Sequence, residues 1–170
     1  MTEDESGGGT PQRVIRQFQK RKRTLPIWES PDVTYHVRAT VLKGRRERLV
    51  QPEYGKVVCD ALRHDDGRRY VLHCYVLMPD HVHLMLHPLP RDRGSIPLPE
   101  ILRMLKGVSA RRINSLSGVG GPFWLPESYT RIIRCPDEYV ETWHYIRCNP
   151  VAAGLVEHPD EWPWWWGREE

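Results

Sequence analysis

The feature that most restricts the fold of this chain is an apolar run, residues 74–87, with two histidines one residue apart, His81 and His83. Side chains two positions apart on a β-strand point to the same face. Both imidazoles would therefore face one point while Val82 and Leu84 pack on the other side. Imidazole is the commonest side-chain metal ligand, so the pair is either part of a metal site or two satisfied polar residues on a half-buried strand.

The class of protein is limited by the length of the chain, the spacing of its cysteines and its charge. The chain has 170 residues, a size for one domain, and no apolar stretch approaches the length of a membrane span. Its four cysteines form no C-x-x-C pair, so we expect reduced thiols and a cytoplasmic protein. Several acidic residues lie at the ends, so the body is more basic than the net charge of +3 suggests. The body therefore has either a polyanionic partner or an ordinary solvated surface.

Composition divides the chain into three parts. Residues 1–23 begin Gly-rich and acidic and end basic, which predicts a flexible tail that either lies along a phosphate backbone or only solubilises the chain. Residues 24–160 carry the periodic hydrophobic segments and form the predicted folded domain. Residues 161–170 form a Trp-rich tail, whose aromatic cluster we expect to cap the core.

Hydrophobic periodicity predicts elements in the order β-α-β-β-α-β-α. The predicted strands are 33–41, 69–77, 81–87 and 128–134, and the predicted helices are 52–64, 98–116 and 136–148. The last helix is expected to end at Asn149, because a residue that precedes a proline leaves the α region. The first six elements follow the split β-α-β order of ferredoxin-like and RRM-like folds. This is an α+β class with helices on one face of an antiparallel sheet, here of four to five strands.

A tyrosine on the last predicted helix adds a nucleophile to the histidine pair. Tyr145 and Asn149 lie four residues apart and therefore on one face of that helix. A phenolate can attack a phosphodiester, and a divalent metal held by His81 and His83 would polarise the phosphate. Asn149 either supplies a third ligand through its amide oxygen or only ends the helix. Glu141, one turn before Tyr145, is either another ligand or an exposed acid.

Three segments resemble the single-tyrosine HUH transposases: Met78 to His83, the pair Phe123-Trp124 with Arg134 following, and Tyr145 to Leu155. The resemblance covers residues 30–166 in the same order and is closest to the REP-associated tyrosine transposases of the IS200-like family. It implies an HUH nuclease fold in the domain of residues 24–160. It also implies that His81 and His83 bind Mg²⁺ or Mn²⁺ and that Tyr145 is the nucleophile. Insertion-sequence members carry a glutamine where this chain has Asn149.

The resemblance also implies an activity. A transposase of this kind cleaves and rejoins single-stranded or hairpin DNA through a 5′-phosphotyrosine intermediate. We would expect it to be a monomer or homodimer at the bacterial nucleoid, with no membrane association. The alternative is a domesticated, regulatory protein that binds nucleic acid without cleaving it. In either case basic side chains would contact DNA phosphates, and the candidates are Arg23, Lys106, Arg111, Arg112 and Arg134.

Overall fold

The computed structural model describes residues 33–45, 49–92 and 94–168. The predicted N-terminal tail, with Arg23, lies outside the described residues. The strands are β1 (Thr34–Val41), β2 (Tyr70–Leu77), β3 (His81–Pro88), β4 (Trp124–Ile133) and β5 (Trp165–Gly167). The helices are α1 (Pro52–His64), α2 (Leu98–Ser117) and α3 (Pro136–Ala152), with 3₁₀ turns at Lys43–Arg45 and Pro159–Glu161.

The strands form one antiparallel sheet in the order β4-β1-β3-β2-β5. The predicted order of elements is therefore confirmed, and so is the α+β class with an antiparallel sheet. β3 lies at the centre, between β1 and β2. Its alternation follows the sequence pattern: Val82, Leu84 and Leu86 belong to the larger buried cluster, so His81 and His83 point to the opposite face.

The two faces of the sheet bury two separate clusters. The larger one lies between the sheet and helices α1 and α2, which pack against each other and contribute Val58, Leu62, Ile101 and Leu105. The smaller one lies between the other face and α3, which contributes Ile146. Within the described ranges, no helix combines the length and the apolar character needed to cross a membrane. The helix pair thus packs on one face and α3 packs on part of the other.

Helix α3 does not end before Pro150, as the sequence pattern predicted, but continues to Ala152. Pro150 lies in the last turn, where its missing N–H removes one hydrogen bond, and its ring is buried. The end is set by Gly154, which has φ 69° and donates its N–H to the Val151 carbonyl at 2.9 Å. Leu155 donates to the Pro150 carbonyl at 2.9 Å, which completes a Schellman motif. The prediction was wrong because a proline near a helix end disturbs little.

The fourth strand begins earlier than predicted, at Trp124 rather than Ser128. Trp124 is buried and is the β4 partner of Val41, across an irregularity in the register between β1 and β4. Residues 124–127, which include Pro126, are therefore the first part of this edge strand. An edge strand tolerates proline because its outward N–H groups need no partner in the sheet.

The Trp-rich segment is part of the sheet, because β5 pairs with the edge of β2. Its tryptophans alternate in direction. Trp164 and Trp166 pack on the larger cluster, whereas Trp162 and Trp165 pack on the smaller one. The Trp162 indole N–H also donates to the Leu77 carbonyl at 2.8 Å. The expected capping of a core is therefore observed on both faces at once.

Candidate active site

His81 and His83 stand on the central strand with their rings 4.8 Å apart between centroids. His81 Nδ1 lies 2.6 Å from Asp80 Oδ1, in the turn between β2 and β3. His83 is buried, and its Nδ1 lies 2.9 Å from Nε2 of His36. Because both Nδ1 atoms have partners within the protein, the Nε2 atom of each ring is the one that could bind a metal.

His36, on β1, is a site residue that the sequence analysis missed. It is buried, and its ring stacks on that of His83 with a centroid separation of 5.1 Å. Its position between core residues Tyr35 and Val37 indicates that it faces away from the larger cluster. That alternation was the available signal. Only the pairing of β1 with β3, which the sequence does not state, places it against His83.

Burial keeps these imidazoles neutral. Desolvation, followed by the positive charges of Arg131 and Arg38, lowers the pKa of His36 to about 4. Desolvation also lowers the pKa of His83, to about 2, with smaller contributions from the neighbouring histidines and Arg38. The pKa of His81 is lowered by burial too, against an opposing effect of Asp80. Neutral imidazole is the form that binds metal ions, so the electrostatics suit a metal site.

The structure brings Tyr145 to the histidines. Its ring centroid lies 5.6 Å from that of His83 and 6.0 Å from that of His36, nearly perpendicular to both. Thr142 and Ile146 are buried between α3 and the sheet, and this fixes the rotation of the helix. Tyr145 consequently lies on the flank of α3 and remains 55% exposed. A phenol ring that lies beside two buried imidazoles and is about half exposed to solvent is accessible to a ligand.

Asn149 lies one turn beyond Tyr145, but its side chain turns back along the helix. Its Nδ2 donates to the Tyr145 carbonyl at 2.8 Å, so Oδ1 is the atom that could bind a metal. Glu141 is exposed on the same helix. The described part of the chain contains no group of three His, Cys, Asp or Glu side chains that could hold a metal ion. The ligand set of two imidazoles and the Asn149 amide oxygen therefore stays a prediction from the sequence.

Most of the basic residues predicted to bind DNA lie away from this site. Lys106 on α2 donates to three backbone carbonyls of β4, those of residues 125, 126 and 127, at 2.9, 3.0 and 3.3 Å. These bonds occupy all three donors of its ammonium group. Arg111 and Arg112 are exposed on α2, which packs on the opposite face of the sheet. Arg134 is exposed just after β4, beside a groove that α3 also lines.

Comparisons with known proteins agree with this geometry. No family model matches the chain. The ISDra2 transposase TnpA of Deinococcus radiodurans is 30% identical over 99 residues, which cover 48% of this chain and 68% of that protein. A solved structure of a REP-associated tyrosine transposase bound to a REP hairpin superposes with a TM-score of 0.63 at 20% identity. That match covers 86% of this chain and 82% of the other.

The five-stranded antiparallel sheet with three helices defines the fold of the HUH-type tyrosine transposases. The chain belongs to the IS200-like transposase family. Its relatives indicate a transposase. The expected resemblance is thereby confirmed, while the roles of individual residues stay predictions.

Proposed function

We propose that this protein is a metal-dependent DNA transposase that cleaves and rejoins single-stranded or hairpin DNA through Tyr145. The observation that carries the proposal is the convergence of Tyr145 on the histidine pair, with ring centroids of Tyr145 and His83 5.6 Å apart. Three elements distant in sequence meet there, since His36 comes from β1, His83 from β3 and Tyr145 from α3. Exposure of the phenol alone would be ordinary. Exposure beside buried neutral imidazoles supports a reactive site.

The protein's own side chains would hold and orient the metal. His81 and His83 would bind Mg²⁺ or Mn²⁺ through Nε2, with the Oδ1 of Asn149 as third ligand. Asp80 and His36 fix the two rings through the Nδ1 atoms, at 2.6 and 2.9 Å. Such partners hold a ligand ring in one tautomer and one orientation. The bound ion would polarise the scissile phosphate and offset the charge that develops on it.

The chemical step transfers a phosphoryl group to the tyrosine. The Tyr145 hydroxyl loses its proton to solvent as its oxygen attacks phosphorus, and a new O–P bond forms. The bond from phosphorus to the 3′ oxygen breaks, and that oxygen leaves with the bonding electron pair and takes up a proton. The products are a 5′-phosphotyrosine and a free 3′-hydroxyl. Attack on the phosphotyrosine by a different 3′-hydroxyl reverses the step and joins two new ends.

The substrate would be DNA with unpaired nucleotides. Tyr145 lies between the flank of α3 and an open part of the sheet, where a single strand has access. The structural neighbour is a REP-associated transposase bound to a REP hairpin, and we propose that this chain too binds a hairpin, as a monomer or homodimer. Arg134 and, in the N-terminal tail, Arg23 are the remaining candidates for contacts with the phosphates.

The test is formation of a covalent adduct. Purified protein is incubated with labelled single-stranded and hairpin DNA from the flanks of its own gene, with Mg²⁺, Mn²⁺ or EDTA, and denatured before electrophoresis. We expect an adduct that depends on the metal. Tyr145→Phe should abolish it while DNA affinity stays within about twofold, because only one hydroxyl is removed.

The matched control is Tyr139→Phe, since Tyr139 also lies on α3 but its hydroxyl contacts His73, at 3.0 Å, rather than the histidine pair. Tyr139→Phe should retain the adduct. His81→Ala and His83→Ala should each lose it, and Asn149→Ala should raise the Mn²⁺ concentration needed. An adduct that survives Tyr145→Phe contradicts the nucleophile. Tight hairpin binding without an adduct under any metal would favour the non-cleaving alternative.

A further inference from the structure

Two side chains near the histidines, those of Arg38 and Tyr129, have no role in the proposed chemistry. Arg38 on β1 is the cross-strand partner of His83 on one side and of Tyr129 on the other. Residues directly opposite in an antiparallel pair project to the same face, with Cβ atoms about 5 Å apart. Arg38 therefore stands in a row between His83 and Tyr129, on the face that carries Tyr145.

Tyr129 and Tyr145 flank the same imidazole. The Tyr129 ring centroid lies 6.1 Å from that of His36, and the Tyr145 centroid lies 6.0 Å from it. Both phenols are about half exposed, at 50% and 55%. The two phenol rings are therefore no more than about 12 Å apart, so a flexible strand that reaches one ring is within one or two nucleotides of the other.

The charge of Arg38 is available for a ligand. Arg38 is exposed, and within the described ranges no ion pair or hydrogen bond holds its guanidinium. Arg131, which pairs with His36 two positions away, differs in this respect because it lies 3.2 Å from Glu138. The positive charge of Arg38 depresses the pKa values of His36, His81 and His83. The guanidinium is thus electrostatically coupled to the whole site.

We propose that Arg38 and Tyr129 form a subsite for one unpaired nucleotide of single-stranded DNA, next to the phosphate that Tyr145 attacks. The guanidinium binds a backbone phosphate with its planar donors, and the Tyr129 ring stacks on the base of that nucleotide. A base in a duplex is already stacked on both faces, so this subsite selects unpaired DNA. The position next to the scissile phosphate rests on the proposed function, but the binding itself does not.

An ordinary explanation of Tyr129 is its preference for β-strands. In that case Tyr129 would stabilise β4, and its loss would affect all DNA ligands equally. The two explanations differ in whether the bases of the ligand matter. The experiment therefore compares two ligands of equal charge, one with bases and one without.

The assay is fluorescence anisotropy in EDTA, so that no cleavage occurs. The probes are a labelled oligothymidylate of about 12 nucleotides, within the site sizes usual for single-strand binding, and an abasic strand of the same length. Tyr129→Thr removes the ring but keeps β-propensity, and Tyr129→Phe keeps the ring. We expect the wild-type protein and Tyr129→Phe to bind the thymidylate more tightly than the abasic strand. In Tyr129→Thr the ratio of the two affinities should fall roughly tenfold.

Arg38→Gln addresses the phosphate contact separately. It should keep the preference for bases but reduce the slope of log affinity against log salt by about 0.7, the value for one phosphate contact on a single strand. The matched control is Arg103→Gln, an exposed arginine on α2, on the other side of the sheet, which should leave the slope unchanged.

The results decide the proposal in either direction. Equal affinity of the wild-type protein for both probes, or a preference that Tyr129→Thr does not change, overturns the stacking contact. An unchanged salt slope in Arg38→Gln overturns the phosphate contact. If the wild-type protein forms no adduct yet shows both effects, the cleavage proposal fails and the subsite stands.

Discussion

His73 on β2 should make the protein less stable in acid. Its Nδ1 lies 3.0 Å from the Tyr139 hydroxyl, while its Nε2 is buried without a hydrogen-bond partner. Burial, with smaller effects of His87 and Arg168, lowers its pKa to about 4 against an opposing effect of Asp66. The unfolded chain binds a proton at this residue near pH 6.5, which the folded protein does not. Acid between these two values therefore favours the unfolded chain.

The size of the effect follows from the pKa difference. Where only the unfolded state is protonated, the free energy of unfolding falls by about 1.4 kcal/mol for each pH unit. Between pH 6.5 and 5.0 this one residue contributes a loss of about 2 kcal/mol, and the loss stops once the pH is below about 4. Domains of this size have a total stability of about 5–15 kcal/mol, so the effect is measurable.

The assay is urea unfolding at pH 7.5 and 5.0 in EDTA, for the wild-type protein and His73→Gln. Glutamine keeps a hydrogen-bonding group near Tyr139 but does not titrate. We expect the wild-type protein to lose about 2 kcal/mol more than the variant between the two pH values. His144→Gln is the matched control, because that histidine is exposed on α3. Equal losses in the wild-type protein and His73→Gln would refute the reasoning.

Four further substitutions test local contacts and backbone conformation. Gly55→Ala should destabilise by about 1–3 kcal/mol in urea unfolding, because the new Cβ would lie 2.7 Å from the Trp164 ring. Gly107→Ala, also within a helix but with only a 4.0 Å contact, should instead stabilise by about 0.5–1 kcal/mol. Gly154→Ala should destabilise by about 1–2 kcal/mol, because φ there is 69°; a smaller loss would mean that the helix end does not require this conformation. Lys106→Met should destabilise by about 1 kcal/mol and leave the salt dependence of DNA binding unchanged; a reduced salt slope would show that this lysine binds phosphate.

The order of elements and the central histidine pair could be predicted because both are local patterns. Alternation on β3 places His81 and His83 on one face, and helical spacing places Tyr145 and Asn149 together. His36 could not be predicted as their neighbour, because its contact with His83 depends on the pairing of β1 with β3. Strand register is set by the packing of whole faces, which no short segment reveals.

The ends of elements were harder to predict for a similar reason. A proline usually ends a helix, but Pro150 occupies a last turn that Gly154 closes in the left-handed conformation. The helical pattern likewise predicts where the backbone of Lys106 lies, but not where its side chain goes. Its three carbonyl partners at the start of β4 are fixed only once α2 packs beneath that strand.

The alternating tryptophans next to β2 affect how the molecule unfolds. Two clusters on opposite faces of a sheet could melt in separate steps, with α3 leaving first. Here one short segment packs Trp164 against the larger cluster and Trp165 against the smaller one, so release of this segment weakens both. The two clusters should therefore unfold in a single cooperative transition. The helix that carries Tyr145 then unfolds only together with the entire sheet, so the phenol keeps its position until the whole domain unfolds.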